Sequence, residues 1–257
     1  MSTTIDVYPT VNALPLVEEI RGRTQELFQT LLNRHGIGST IEVKAFYPST
    51  ADIPASTSRP APKRAFYPSR ADIPIKYVEK DVLWTPDLYL GFEYSIDGIW
   101  DSDSWPACFS VEDDDRINEE DLVYPFNSKP EHLGLWYIVE EFEDIVPPTR
   151  LAKILAQDHY WTDERNFAGP AVASTGYGLV CAALAEATDG IIASFDSAFD
   201  GKHNGETAEE FLSWWGDRQI NFYGEDAFRN PRGKRYQLVI GLKAGASATR
   251  CEYFTVK

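Results

Sequence analysis

The chain has 257 residues, 43% of them hydrophobic, and a formal net charge of −16 from 40 acidic and 24 basic side chains. That length and apolar content suffice for a sizeable core. The acidic balance excludes nucleic acid as an ordinary ligand, because binding phosphates requires Lys and Arg to neutralise them.

In chain order, the opening residues lack the basic start and apolar run of a signal peptide, and no stretch approaches the ~18 uncharged apolar residues of a membrane span. A soluble, cytoplasmic chain without membrane contact is therefore expected. From Leu16 to Leu32 apolar residues recur at helical spacing, with Pro15 suited to a first turn and Gly36 to a C-terminal cap. The segments "STIEVKAFY", "LYLGFEYS", "ACFSVE" and "HLGLWYIVEEF" read as strands, being rich in aromatic and β-branched residues. "PPTRLAKILAQDHY" and "PAVASTGYGLVCAALAEA" read as helices, then "IIASF" as a short strand and "TAEEFLSWW" as a helix. "RYQLVIGLK" and "ATRCEYFTV" close the chain as two strands across the turn signal "AGAS". Helices and strands come in runs without regular βαβ alternation. The expected fold is α+β, a largely antiparallel sheet with an N-terminal amphipathic helix and helices in the C-terminal half. It forms one domain over residues 1–257, or two subdomains divided at 146/147.

"KAFYPSTADIP" at Lys44 to Pro54 is echoed as "RAFYPSRADIP" at Arg64 to Pro74. The proline-marked spacer between them has little to bury, so residues 49–68 read as a mobile loop insertion rather than a solenoid, which needs at least about three stacked units.

The charge is concentrated. Residues 93–144 hold sixteen acids against Arg116 and Lys129, whereas the flanking segments are close to neutral. Crowding like charges costs stability unless something is gained, such as steering a cationic partner. The candidate partner-binding residues are accordingly Asp101, Asp103, Trp105, Asp113, Asp114, Asp115, Glu119, Glu120 and Asp121. Trp100, Tyr124, Phe126 and Trp136, interleaved with them, are the aromatic type that anchors interfaces.

Catalytic constellations are thin. Cys108, Cys181 and Cys251 lack CxxC spacing, and His35, His132, His159 and His203 lack ligand spacing, so neither metal nor cofactor is implied. "TGYGLVC" has two glycines of a dinucleotide fingerprint, but Cys181 takes the place of the third. The alternative enzyme class is a glycoside hydrolase, with Asp101, Asp103, Asp196 and Asp200 as candidate carboxylates near aromatic residues.

From Gly176 to Trp215 the chain reads "GYGLVCAALAEATDGIIASFDSAFDGKHNGETAEEFLSWW". An Ala/Leu-rich helix, "TDGIIAS" with its acidic turn and then "TAEEFLSWW" resemble a pattern in bacterial immunity proteins encoded beside polymorphic or type VI secreted toxins. The resemblance implies a cytoplasmic binding protein that neutralises a cognate toxin and has no catalytic residues of its own. An acidic surface suits a toxin with a basic cleft, because acidic side chains can occupy phosphate positions there.

Overall fold

A computed structural model describes residues 2–47, 76–86, 88–111, 142–166 and 169–229. The strands are β1 (Ser2–Tyr8), β2 (Ile41–Tyr47), β3 (Lys76–Tyr77), β4 (Gly91–Ile96), β5 (Ile99–Ser110), β6 (His159–Asn166) and β7 (Ile191–Ala193). They form one seven-stranded sheet in the order β3-β2-β4-β5-β6-β1-β7, and every pairing is antiparallel. The helices are α1 (Val17–Arg34), α2 (Pro148–Leu155), α3 (Ala171–Thr188), α4 (Ala208–Leu212), α5 (Trp215–Tyr223) and α6 (Asp226–Arg229). The fold is α+β. Strands from both sides of residue 146 share the sheet, which therefore runs across the expected subdomain boundary.

Sequence explains α1 directly. Its buried residues Val17, Ile20, Thr24, Phe28, Leu31 and Leu32 follow the helical repeat, and Gly36 takes a positive φ of 64° just past the last turn. Pro15 lies before the helix and not in its first turn. Helix α3 obeys a different rule. Residues Ala171–Ala185 are buried without a break, and a helix apolar on all sides belongs inside a core. It lies on β1, β4, β5 and β6, with α1 beside it over β2 and α4, α5 and α6 against its outer side. A Cβ on Gly176 would penetrate the Tyr94 ring, and one on Gly178 the Trp215 indole. The two glycines thus admit close packing from the sheet below and from α5 above. They lie within α3 and do not form a phosphate-binding turn.

Alternate sheet residues face opposite cores. Ile5, Val7, Val43, Phe92, Tyr94, Cys108 and Trp161 pack with α1 and α3. Tyr8, Tyr160, Ile191 and Ala193 face the far side, where Phe142, Val146 and α2 residues Leu151 and Ile154 cover them.

Both sheet edges meet hydrogen-bonding partners. Along β2, Gln29 Oε1 accepts the Ile41 N–H and Gln25 Oε1 the Val43 N–H, both at 3.0 Å, and Arg21 Nη1 donates to the Val43 carbonyl at 3.0 Å. Four helical residues rise about 6.0 Å and two strand residues about 6.6 Å, so an i, i+4, i+8 row on a helix can stand in for a neighbouring strand. At the other edge, Ile192 N–H donates to the Glu206 carbonyl at 2.8 Å. Asp196 accepts the Thr4 N–H at 2.7 Å and the Thr4 hydroxyl at 3.1 Å.

Three expectations need correction. The helix expected to continue to Tyr160 ends at Leu155, because His159–Asn166 is the central strand β6, paired with β5 and β1. Strand β1 was not anticipated at all; its inward Thr3, Ile5 and Val7 dilute the apolar alternation with a small polar residue. The "TAEEFLSWW" run breaks at Ser213 and Trp214 into α4 and α5. The echo's first "AFY" ends β2, whose neighbour β3 pairs Phe46 with Tyr77 and Tyr47 with Lys76. The remainder of the echo, most of "HLGLWYIVEEF" and the two C-terminal strand candidates lie outside the described residues.

Candidate partner-binding surface

Most of the described part of the acidic segment is the β4–β5 hairpin; Glu143 and Asp144, both exposed, are the remaining described acids. The hairpin's turn is Asp97-Gly98, with φ of 50° and 74°, the pairing that a type I′ hairpin demands. Asp97 also ties the turn to the start of β2: its Oδ1 accepts the Thr40 N–H at 2.7 Å, and its own N–H donates to the Thr40 carbonyl at 2.8 Å. The hairpin is therefore held at its tip as well as along its strands. "DG" between alternating apolar residues was the readable signal for this turn.

Pairing shifts between Tyr94 and Ser95, so that Tyr94 opposes Ser102 while Ser95 opposes Trp100, leaving Asp101 as the extra residue of a bulge. The Asp101 carboxylate accepts the Ser102 hydroxyl at 2.8 Å, and burial pushes its carboxyl above the ordinary range. Beyond the bulge, Asp103 sits opposite Glu93 on the far face of the sheet. Asp103 Oδ1 accepts the Trp100 Nε1–H at 2.9 Å, fixing an indole that is 39% exposed. Trp105 is half-buried, its ring edge-on to Phe46 with centroids 5.6 Å apart.

Of the nine expected partner-binding residues, Asp101, Asp103 and Trp105 thus share β5. Asp113, Asp114, Asp115, Glu119, Glu120 and Asp121 lie outside the described residues, as do Tyr124, Phe126 and Trp136.

Asp196 is not brought together with Asp101 and Asp103 on β5. Asp196 lies past the β1 edge, with β6 and β1 between it and β5. At about 4.8 Å per strand, and with Asp101 displaced along β5 as well, the separation is about 15 Å or more, against roughly 5–9.5 Å for a glycosidase pair. Asp200 caps the turn Gly201–His203 and is drawn below the usual carboxylate range by the Lys202 N–H. His203 Nδ1 meets Glu206 at 2.6 Å and its ring stacks 4.0 Å from Trp214, whose Nε1–H donates to the same carboxylate at 2.7 Å. His35 pairs with Asp217 and His159 with Asp158, each at 2.7 Å, while His132 lies outside the described residues. Among the described residues no three His, Cys, Asp or Glu side chains are grouped to hold a metal ion.

A groove of about 470 Å³ runs between α1 and β2–β3, lined by Glu18, Arg21, Gln25, Glu42, Lys44 and Tyr77. Its wall charges already engage each other, Arg21 with Glu18 at 2.7 Å and Lys44 with Glu42 at 2.9 Å. No helix of the described residues is long and apolar enough to cross a membrane. Comparison with family models gave no match, and neither curated proteins nor solved structures matched the chain.

Proposed function

We propose that the chain is an immunity protein that binds and neutralises a cognate secreted bacterial toxin of the polymorphic or type VI kind. The observation that supports this best is the hairpin surface: an exposed Trp100 hydrogen-bonded to Asp103, with the exposed Asp97 at the hairpin turn. A fixed aromatic offers contact area at little entropic cost, and surrounding carboxylates select a basic partner and speed its approach. The chain would work in the cytoplasm of the producing cell, without cofactor or catalysis, by occluding the toxin's basic cleft.

The test is co-expression with the product of the neighbouring gene. Wild-type chain should rescue growth and co-purify with that product, and a Trp100→Ala/Asp103→Lys variant should fold yet lose both. A neighbouring product that is not toxic, or full rescue by the double variant, would contradict this function or this surface respectively.

A further inference from the structure

Along β6, His159, Trp161, Asp163 and Arg165 alternate on the α3 side of the sheet, and each keeps a sealed side-chain polar atom without a hydrogen-bond partner. The last two are complementary. Asp163 is 1% exposed; its Oδ1 accepts the Trp105 N–H at 2.9 Å, while Oδ2 is unmatched. Two residues on, the Arg165 guanidinium lies over the Tyr177 ring, 5.0 Å from its centroid, with Nε and Nη1 unmatched. Side chains at i and i+2 of a strand stand about 6.6 Å apart, a gap an arginine can span. An unmatched buried acceptor and two unmatched buried donors, each costly alone, therefore lie within one rotamer change of each other.

The surroundings favour one arrangement at a time. Thr3 from β1, Tyr94 from β4, Ser104 from β5 and Tyr177 and Cys181 from α3 face this cluster. Glu164 on β6 faces the other side of the sheet, and the charges of Asp6 and Asp103 reach the cluster from β1 and β5. Burial pushes Asp163 up to about 8, against the pull of the Ser104 hydroxyl and the Trp105 N–H, so at neutral pH it is a neutral acid. Burial also raises Tyr94, Tyr177 and Cys181, which stay neutral while Asp163 titrates.

We propose that Asp163 and Arg165 are the two halves of a proton-controlled latch between β6 and α3. With Asp163 protonated, the guanidinium rests on Tyr177 and holds the N-terminal half of α3 against the sheet. Loss of the proton creates a carboxylate whose unmatched Oδ2 faces the unmatched Arg165 donors. The guanidinium then swings to Oδ2 in a charge-assisted pair, leaves Tyr177, and loosens that half of the helix. The latch is independent of the toxin-binding surface.

Infrared titration of the full-length protein tests it, following the neutral-carboxyl band alongside the ultraviolet signal of Tyr177. Wild type should lose the band with a midpoint somewhat below about 8, because pairing with Arg165 favours the ionised form, with a tyrosine perturbation at the same midpoint and faster amide exchange over residues 172–177 above it. Asp163→Asn should abolish all three changes. Arg165→Met should keep the band but raise its midpoint by about one unit or more, because the ionised form has lost its partner. Arg165→Lys, which retains charge and guards against a folding defect in the Met variant, should fall between. An unchanged midpoint in Arg165→Met, no neutral band in wild type at neutral pH, or a titration that leaves Tyr177 and α3 unaffected would each overturn the latch.

Discussion

The two faces of the same sheet treat carboxylates in opposite ways. On the far face Glu93 and Asp103 stand directly opposite each other across β4 and β5, and Asp103 also accepts the Trp100 indole N–H. On the α3 face Asp163 is buried among Tyr94, Ser104, Tyr177 and Cys181, and burial makes it a weak acid. Environment decides what a carboxylate does: Asp103 holds an indole at the surface, whereas Asp163 is kept as a neutral acid inside the packed core.

If the α3 face is where stability resides, the largest effect should come from Trp215→Ala. That indole is fully buried, stacks on Phe211 with centroids 5.1 Å apart, and donates to the Thr175 carbonyl at 3.1 Å. Urea unfolding should show a loss of about 4 kcal/mol.

Asp163 sharpens the contrast through pH. Its folded-state value, about 8, lies above the ~3.9 of an unfolded chain, so over that interval the native state holds a proton the unfolded state has released. Its contribution is fully present below about pH 4, falls by about 1.4 kcal/mol per unit as pH rises, and levels off above the folded value. Asp163→Asn should flatten this slope and raise stability by on the order of 3 kcal/mol at alkaline pH. Unfolding curves at a series of pH values check it, and a variant with the wild-type slope would place the linkage elsewhere.

The β2 edge is the third point of attack. Gln25→Ala/Gln29→Ala leaves the Ile41 and Val43 N–H groups without these acceptors. We expect a loss of about 2 kcal/mol and concentration-dependent association through the exposed edge, visible by gel filtration. Smallest should be the far face, where Trp100→Ala or Asp103→Lys should change stability by no more than about 0.5 kcal/mol. A large loss there would mean that these residues serve packing and not partner binding.

The same contrast explains what could be read from the chain. Helix α1 was legible because one face is apolar and the other charged, and β2 and β4 because apolar and β-branched residues crowd them. Strand β6 was not, because it points His159, Asp163 and Arg165 toward the core side, where alternation leads one to expect apolar residues. The glycines of "GYG" suggest part of a nucleotide turn, and only the positions of Tyr94 and Trp215 reveal them as contact points. At the candidate surface, sequence located the acid and the tryptophans. It did not report the bulge at Asp101 or the bond between Trp100 and Asp103, since both depend on register. Asp196 and His203 attracted attention as chemistry, yet they bind the β1 edge and Glu206, partners too distant or too ordinary in sequence to suggest themselves.

The central claim is that the β4–β5 hairpin recognises a basic toxin, and the most direct measurement is the affinity of the purified neighbouring gene product at low and high salt. Wild type should bind tightly, with association slowing steeply as salt rises. Trp100→Ala/Asp103→Lys, with an unaltered unfolding curve, should bind at least about tenfold more weakly and show a shallower salt dependence. Equal affinity and equal salt dependence for the two proteins would contradict the claim.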